Sequence, residues 1–369
     1  MNGLKLPFLV KAGFAFICGF SLIFLLCIGK SILIPVVYSS IIAILLNPLV
    51  KLLIRFKINR IVAIFIAVIF SLIIVGCIIY LIFTQISIFV DTYPKLREKL
   101  SIHGTQFIFW VSDNFKIKTD KINAWINSNK DGMVSNLGST IGSTLGTISN
   151  IILISVLMPV YISMILFYKP LLSEFIKQLF HTEHHEKVFD IITKSKKIIQ
   201  SYLIGLLFEL IIIATLNSIG LICLGIDYAI ILGIIGALLN VIPLIGGVLA
   251  VIPPMIIAFV TKESASYSLF VIIVYIVIQF IDNHYIIPHI VASKVKINAL
   301  VSLIVVFIGG ELWGIPGMFL SIPITAILKV IFDNIESLKP WGFLLGNVVP
   351  IKPKRLLFIP KKKVKIVNS

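Results

Sequence analysis

Gln279-Phe-Ile-Asp-Asn-His-Tyr-Ile-Ile-Pro288 closes a long apolar run that begins near Tyr267. Asp282, Asn283 and His284 therefore fall where a membrane helix should be greasiest. On insertion scales an Asp at mid-helix costs about 2.5 to 3.5 kcal/mol. A chain keeps such groups when they face a water-filled cavity or a polar partner. An acid inside a membrane span thus points to a transport site. The bland alternative is that Asp282 and Asn283 cap a helix break and hold a turn before Pro288.

The rest of the chain supplies the membrane. It is 59% hydrophobic and 13% charged, with a mean hydropathy of +1.09, outside the range of soluble globular domains. The fold expected is an all-α integral membrane protein of about eight transmembrane helices. The net charge of +16 would suggest nucleic acid in a soluble protein. Here the basic residues flank apolar spans, which fits membrane orientation and anionic headgroups, and no nucleic-acid partner is expected. Cys18, Cys27, Cys77 and Cys223 all sit within apolar runs and read as small apolar side chains, not disulfides or metal ligands.

Helix 1 (13–29) lacks a cleavage box and turns at Gly29-Lys30-Ser31 into helix 2, which ends or bends at Asn47-Pro48. Helix 3 is expected from Ile61 to Phe83. These helices form the first region, residues 1–83. Residues 84–147 are far more polar, with Lys95, Arg97 and Lys99 followed by Lys116, Lys118, Lys121 and Lys130. Apolar residues persist there at helical spacing, and the segment reads as an extracytoplasmic lobe of amphipathic helices. Its tail places Gly138, Gly142 and Gly146 on one helical face, which permits close helix approach. Residues 148–333 hold helices 4 to 8, with a transport core over 201–333, and 334–369 form a basic tail.

Helix 6 (228–260) is interrupted by Pro243, Gly246-Gly247 and Pro253-Pro254. Helix 8 (299–332) is interrupted by Gly309-Gly310 and Gly314-Ile-Pro316-Gly317. Each exceeds what a ~30 Å core requires, so both must be broken, tilted or re-entrant. Gly247-x4-Ile252-Pro253 and Gly317-x4-Ile322-Pro323 echo each other, and paired broken helices point to a transporter's binding region. Charge placement sets the orientation. Lys51, Arg55, Lys57 and Arg60 occupy one loop, the 169–200 segment carries six lysines, and the tail from Lys339 carries eight Lys/Arg. Eight spans place all three on the side of the N-terminus, so both termini are expected in the cytoplasm.

The second half resembles the autoinducer-2 exporter (PerM-like) family of bacterial permeases. The resemblance rests on Gly205, on Leu224-Gly225-Ile226, and on Gly233-Ile-Ile-Gly-Ala-Leu-Leu-Asn240-Val-Ile-Pro243-Leu-Ile-Gly246-Gly247. It continues through Gln279-Phe-Ile-Asp282-Asn283, Pro288 and Gly309-Gly310-Glu-Leu-Trp-Gly314-Ile-Pro316-Gly317. Leu46-Asn47-Pro48 and Asn59-Arg60 extend it to the first half. Ala292 and Ala299 depart from the family's usual Gly and Pro, and Glu311 stands where a neutral residue is common. The resemblance implies an eight-helix, homo-oligomeric permease of the bacterial inner membrane. It leaves the cargo open between autoinducer-2 export and sodium–proton antiport.

Two transport chemistries follow from the residues. Export of a small polar solute would use Asn240, Gln279 and Asn283, with backbone groups freed at Pro243, Gly246, Gly247, Pro288, Gly310, Gly314, Pro316 and Gly317. Cation–proton exchange would use Asp282, Glu209 or Glu311 as the carboxylate that alternates between proton and ion. His284 reads as a gate group or an interfacial histidine. His181, His184 and His185 lack the ligand set of a metal site, and no cofactor is expected. No nucleophile–base pair or phosphate loop appears, so an enzyme is not expected. A membrane scaffold is a third reading. The Lys361–Lys365 run should bind anionic lipid.

Overall fold

The structure is a computed structural model that describes residues 7–115, 157–264 and 266–347. The Gly138/Gly142/Gly146 face, the start of helix 4 and the Lys361–Lys365 tail lie outside the described residues. The described chain is helical, with no strand among the described residues beyond a lone antiparallel bridge between Ile297 and Gly346. Among the described residues six helices are long and apolar enough to cross a membrane, and four more are shorter and apolar. Their outward faces carry large apolar side chains (Phe16 is 78% and Ile28 66% exposed), as the hydrocarbon of a bilayer requires. The protein is an all-α membrane protein.

In chain order the helices are α1 (Phe8–Ile28), α2 (Lys30–Arg55), α3 (Arg60–Phe115) and α4 (Leu157–Gln178). Then come α5 (His185–Cys223), α6 (Ala229–Asn240), α7 (Gly246–Thr261) and α8 (Ser266–Ile281). A π-helical segment, Asp282–Ala292, leads through α9 (Ser293–Val295) to α10 (Ala299–Trp313), α11 (Ile315–Asn334) and α12 (Lys339–Leu345). The long α5 is the hub, packed on α2, α6, α8, α11 and the π segment.

One feature differs from the sequence expectation. The apolar part of α3 ends at Thr84, next to the expected boundary, but the helix continues to Phe115. At 1.5 Å per residue its 56 residues run about 84 Å, far beyond a ~30 Å core. The Lys/Glu/Leu-rich stretch directly after Pro94 is made of good helix formers. The start of the polar lobe is therefore an extension of α3.

Helices 6 and 8 are broken, as expected. Both prove to be helical hairpins rather than kinks. α10 and α11 fold back on each other at Gly314, whose φ of 65° and ψ of −146° suit only glycine. The arms meet so closely that a Cβ on Gly317 would lie 1.9 Å from the Gly309 carbonyl oxygen. α6 and α7 likewise pack together across the turn 241–245, where Leu244 takes φ 71° and Pro243 cannot continue the ladder. Leu232 from α6 and Ala250, Ile257 and Ala258 from α7 enter one buried cluster with Val271 and Tyr275 of α8. The Gly-x4-Ile-Pro echo falls at the start of the second arm in each hairpin.

Prolines within spans leave carbonyls without donors, and remote side chains answer them. Pro48 deprives the Ile44 carbonyl of its i+4 N–H, and Gln200 Nε2 donates to that oxygen at 2.7 Å. Pro170 does the same to Leu166, whose oxygen accepts from Arg60 at 3.1 Å; the same guanidinium reaches the Phe167 oxygen at 2.8 Å. With no water in hydrocarbon, such bonds are the means of satisfying a broken ladder. They also tie α2 to α5 and α3 to α4.

Candidate transport site

Helix α6 ends at Asn240 because Pro243 follows, and this places the Asn240 amide at the tip of the first hairpin. Its Nδ2 donates to Asp282 Oδ2 at 2.8 Å, across 42 positions of sequence. Asp282 itself is fully buried (0% exposed), and its Oδ1 has no hydrogen-bond partner in the protein. The residue opens the π-helical segment. Pro288 has no N–H to offer the His284 carbonyl, so the α ladder cannot close there, and π turns recur at functional sites. No turn precedes Pro288: the backbone stays helical from Asp282 to Ala292.

Around this pair lies a cavity of about 570 Å³. The hairpin tip supplies Asn240, Ile242, Pro243 and Leu244; α7 supplies Gly247, Val248 and Val251. The opposite wall is Ile272, Tyr275, Ile276 and Gln279 of α8, continued by Asp282, Asn283 and Ile287. Gly247 is what lets Gln279 reach over α7: a Cβ there would stand 2.3 Å from Gln279 Oε1. Gln279 Nε2 in turn donates to Asn283 Oδ1 at 3.4 Å. The result is an apolar-walled chamber with three amides and one carboxyl, the pattern of a small-molecule site.

The structure thus gathers six of the expected site residues: Asn240, Pro243, Gly247, Gln279, Asp282 and Asn283. Gly246 sits just behind, packed on the Leu239 oxygen and the Asn240 backbone. Pro288 lies one turn further along the π segment and does not line the chamber. The second hairpin does not contribute. Gly310 abuts Met318, Gly314 makes the turn, Gly317 faces Gly309, and the Pro316 carbonyl accepts from Tyr38 Oη at 3.2 Å. Glu311 is exposed on α10. That hairpin is braced to α1 by Trp313 Nε1, which donates to the Leu26 oxygen at 2.9 Å.

Glu209, on α5, is buried (6% exposed). His284 points away from the chamber, stacked on Phe280 at 4.2 Å between ring centroids. His185 binds the Phe180 carbonyl at 2.9 Å through Nε2. Tyr275 escaped the sequence reading, although it stands at i−4 from Gln279 and i−7 from Asp282 on the same helical face. Its hydroxyl is buried without a partner, as is Asn217 Oδ1. Both reach the notch at Gly236, where a Cβ would lie 3.0 Å from Tyr275 Oη and 3.1 Å from Asn217 Nδ2.

A Gly/Pro-broken hairpin whose tip amide meets an intramembrane acid beside a chamber is transporter architecture, and sequence comparison agrees. The profile described as AI-2E family transporter matches residues 14–337. The chain belongs to the AI-2E transporter family. It is 24% identical over 355 residues to "AI-2 transport protein TqsA" of Escherichia coli (strain K12), covering 94% of this chain and 97% of that protein. It is 25% identical over 325 residues to "Putative transport protein YueF" of Bacillus subtilis (strain 168), covering 82% and 84%. A shorter match, 35% over 129 residues, joins it to "Putative transport protein YrrI" of the same organism, with 35% of this chain and 36% of that protein. As an AI-2E family member, the chain is a multi-pass membrane transporter.

Proposed function

We propose that this AI-2E family member is a permease, not an enzyme, that exports a small, polar, uncharged organic solute through the Asn240–Asp282 chamber, driven by a gradient or passively. The size and lining of the chamber carry this reading. A cavity of about 570 Å³ lies in the range that encloses a small molecule, roughly 300 to 1,000 Å³, and is much larger than a bare cation needs. Asn240, Gln279 and Asn283 can each donate and accept, which suits a hydroxyl-rich ligand. A furanone such as autoinducer-2, the cargo in the name of the full-length relative TqsA, fits that chemistry.

Cation–proton exchange is the alternative, favoured by one observation: Asp282 Oδ1 is buried without a partner, in a bundle that buries a second acid, Glu209. Either transporter would sit in the bacterial inner membrane as a homo-oligomer with both termini in the cytoplasm. Lys51, Arg60, Lys169 and Lys196, which cluster at one end of the bundle, support that orientation.

Flux from proteoliposomes holding only this protein separates the two. Protein-dependent efflux of autoinducer-2 with no sodium-linked proton movement is the expected result. Sodium-driven proton movement without furanone efflux would sink the solute reading and move the chemistry to Asp282 and Glu209.

A further inference from the structure

A second cavity, remote from the transport chamber, lies between α2, α4, α5 and α11 and measures about 360 Å³. Its floor is aliphatic, built from Ile44, Ile165, Ile191, Ile192, Ile327 and Ile331. Its rim is cationic. Lys169 and Lys196 both line it, and Lys51 and Arg60 add to the positive field there. Like charges are not normally held together without an anion, since each pair costs energy. Yet among the described residues no acid stands within salt-bridge distance of any of the four; the ion pairs are Lys177–Glu174, Lys194–Asp190 and Lys329–Asp333.

Two neutral groups sharpen the picture. Lys169 Nζ donates to Asn47 Oδ1 at 2.7 Å, which holds the ammonium at the rim. Ser195 lines the same cavity, is 9% exposed, and its Oγ has no partner. A hydroxyl buried without a partner costs free energy unless something else bonds it.

From these observations we infer that the cavity is a binding site for one anionic phospholipid. The phosphate would accept from Lys169, Lys196 and Ser195, and an acyl chain would lie along the isoleucine floor. Charge complementarity selects an anion, and the apolar floor selects one that carries a hydrocarbon chain. Basic pockets between membrane helices are where anionic headgroups are held. The bound lipid would touch four helices, so it acts on the assembly of the bundle rather than on the cargo.

The test is native mass spectrometry of the full chain released from detergent, titrated with dioleoyl phosphatidylglycerol or dioleoyl phosphatidylcholine. Selective retention of one phosphatidylglycerol is expected. K169Q/K196Q should weaken it about tenfold or more, given about 1 kcal/mol per basic residue, whereas K169R/K196R should retain it and so control for folding. Ile327→Trp, which fills the floor and keeps every charge, should also release the lipid. Equal retention of the two lipids, or undiminished retention by K169Q/K196Q, would overturn the site. Undiminished retention by Ile327→Trp, with millimolar inorganic phosphate displacing the adduct, would overturn the lipid assignment in favour of a free anion.

Discussion

Asn240 Nδ2 and Asp282 Oδ2 meet at 2.8 Å and join the tip of the first helical hairpin to the start of the π-helical segment. This bond adds a polar link to elements that already share a buried apolar cluster, and it leaves Asp282 Oδ1 buried without a partner. Asn240→Ala removes the donor and leaves the whole carboxylate buried without a partner, at a cost of about 1 to 3 kcal/mol. The melting temperature of the purified protein should fall, and solute efflux should fall with it. A variant as stable as the parent would mean that the bond contributes nothing to holding the hairpin.

Asp282→Asn separates the two transport chemistries. The amide keeps an oxygen for Asn240 but cannot carry a proton on and off. Solute efflux should stay within about threefold of the parent, the scale of one altered hydrogen bond, and Glu209→Gln should behave the same way. Any sodium-linked proton movement should vanish in both. Loss of solute efflux in Asp282→Asn to the liposome background would show that the carboxyl itself is needed for the cargo.

Gly247 tests the chamber wall without replacing any of its polar groups. Gly247→Ala puts a Cβ 2.3 Å from Gln279 Oε1, the far end of a flexible side chain. The bundle should tolerate it, while Gln279 is pushed out of register with Asn283. The expected outcome is a raised KM for the solute, by about tenfold, with little change in melting temperature. Gly317→Ala is the contrast. Its Cβ would meet the backbone oxygen of Gly309 at 1.9 Å, so the second hairpin cannot close. That variant should lose several kcal/mol, on the scale of overpacking and more, and elute as aggregate in size-exclusion chromatography.

The membrane class and the first site residues were legible because their signals are local. Asp282, Asn283 and Gln279 stand out as polar residues in an apolar run, and Pro243 and Gly314 mark breaks by backbone chemistry alone. What the breaks do was not legible. A proline or glycine shows that a helix cannot continue straight, but whether it kinks or folds back depends on which faces pack, and here Gly309 against Gly317 decides. The same limit grouped the second hairpin with the site. Gly310, Gly314, Pro316 and Gly317 look like the first hairpin in sequence, yet only the first ends on a side chain that reaches an acid. Tyr275 was missed because an aromatic in an apolar run reads as packing, although its spacing to Gln279 and Asp282 carried the signal. Helix α3 outran its expected end because hydropathy reports where lipid stops, not where a helix does.

The carbonyl of Ile44 gives a test of how the broken spans are held. Pro48 removes the N–H that would bond it, and Gln200 Nε2 supplies the replacement at 2.7 Å from α5. Gln200→Ala should therefore cost about 1 to 2 kcal/mol, because it strands a carbonyl in a medium with no water to compensate. In a Pro48→Ala background the helix recovers its own donor and Gln200 becomes redundant, so the same substitution should cost little. The double-mutant cycle, read as thermal or chemical denaturation in detergent, should give a coupling of about 1 kcal/mol between two residues 152 positions apart in sequence. Additivity within a few tenths of a kcal/mol would mean that the glutamine is packing and not a substitute for the missing backbone bond.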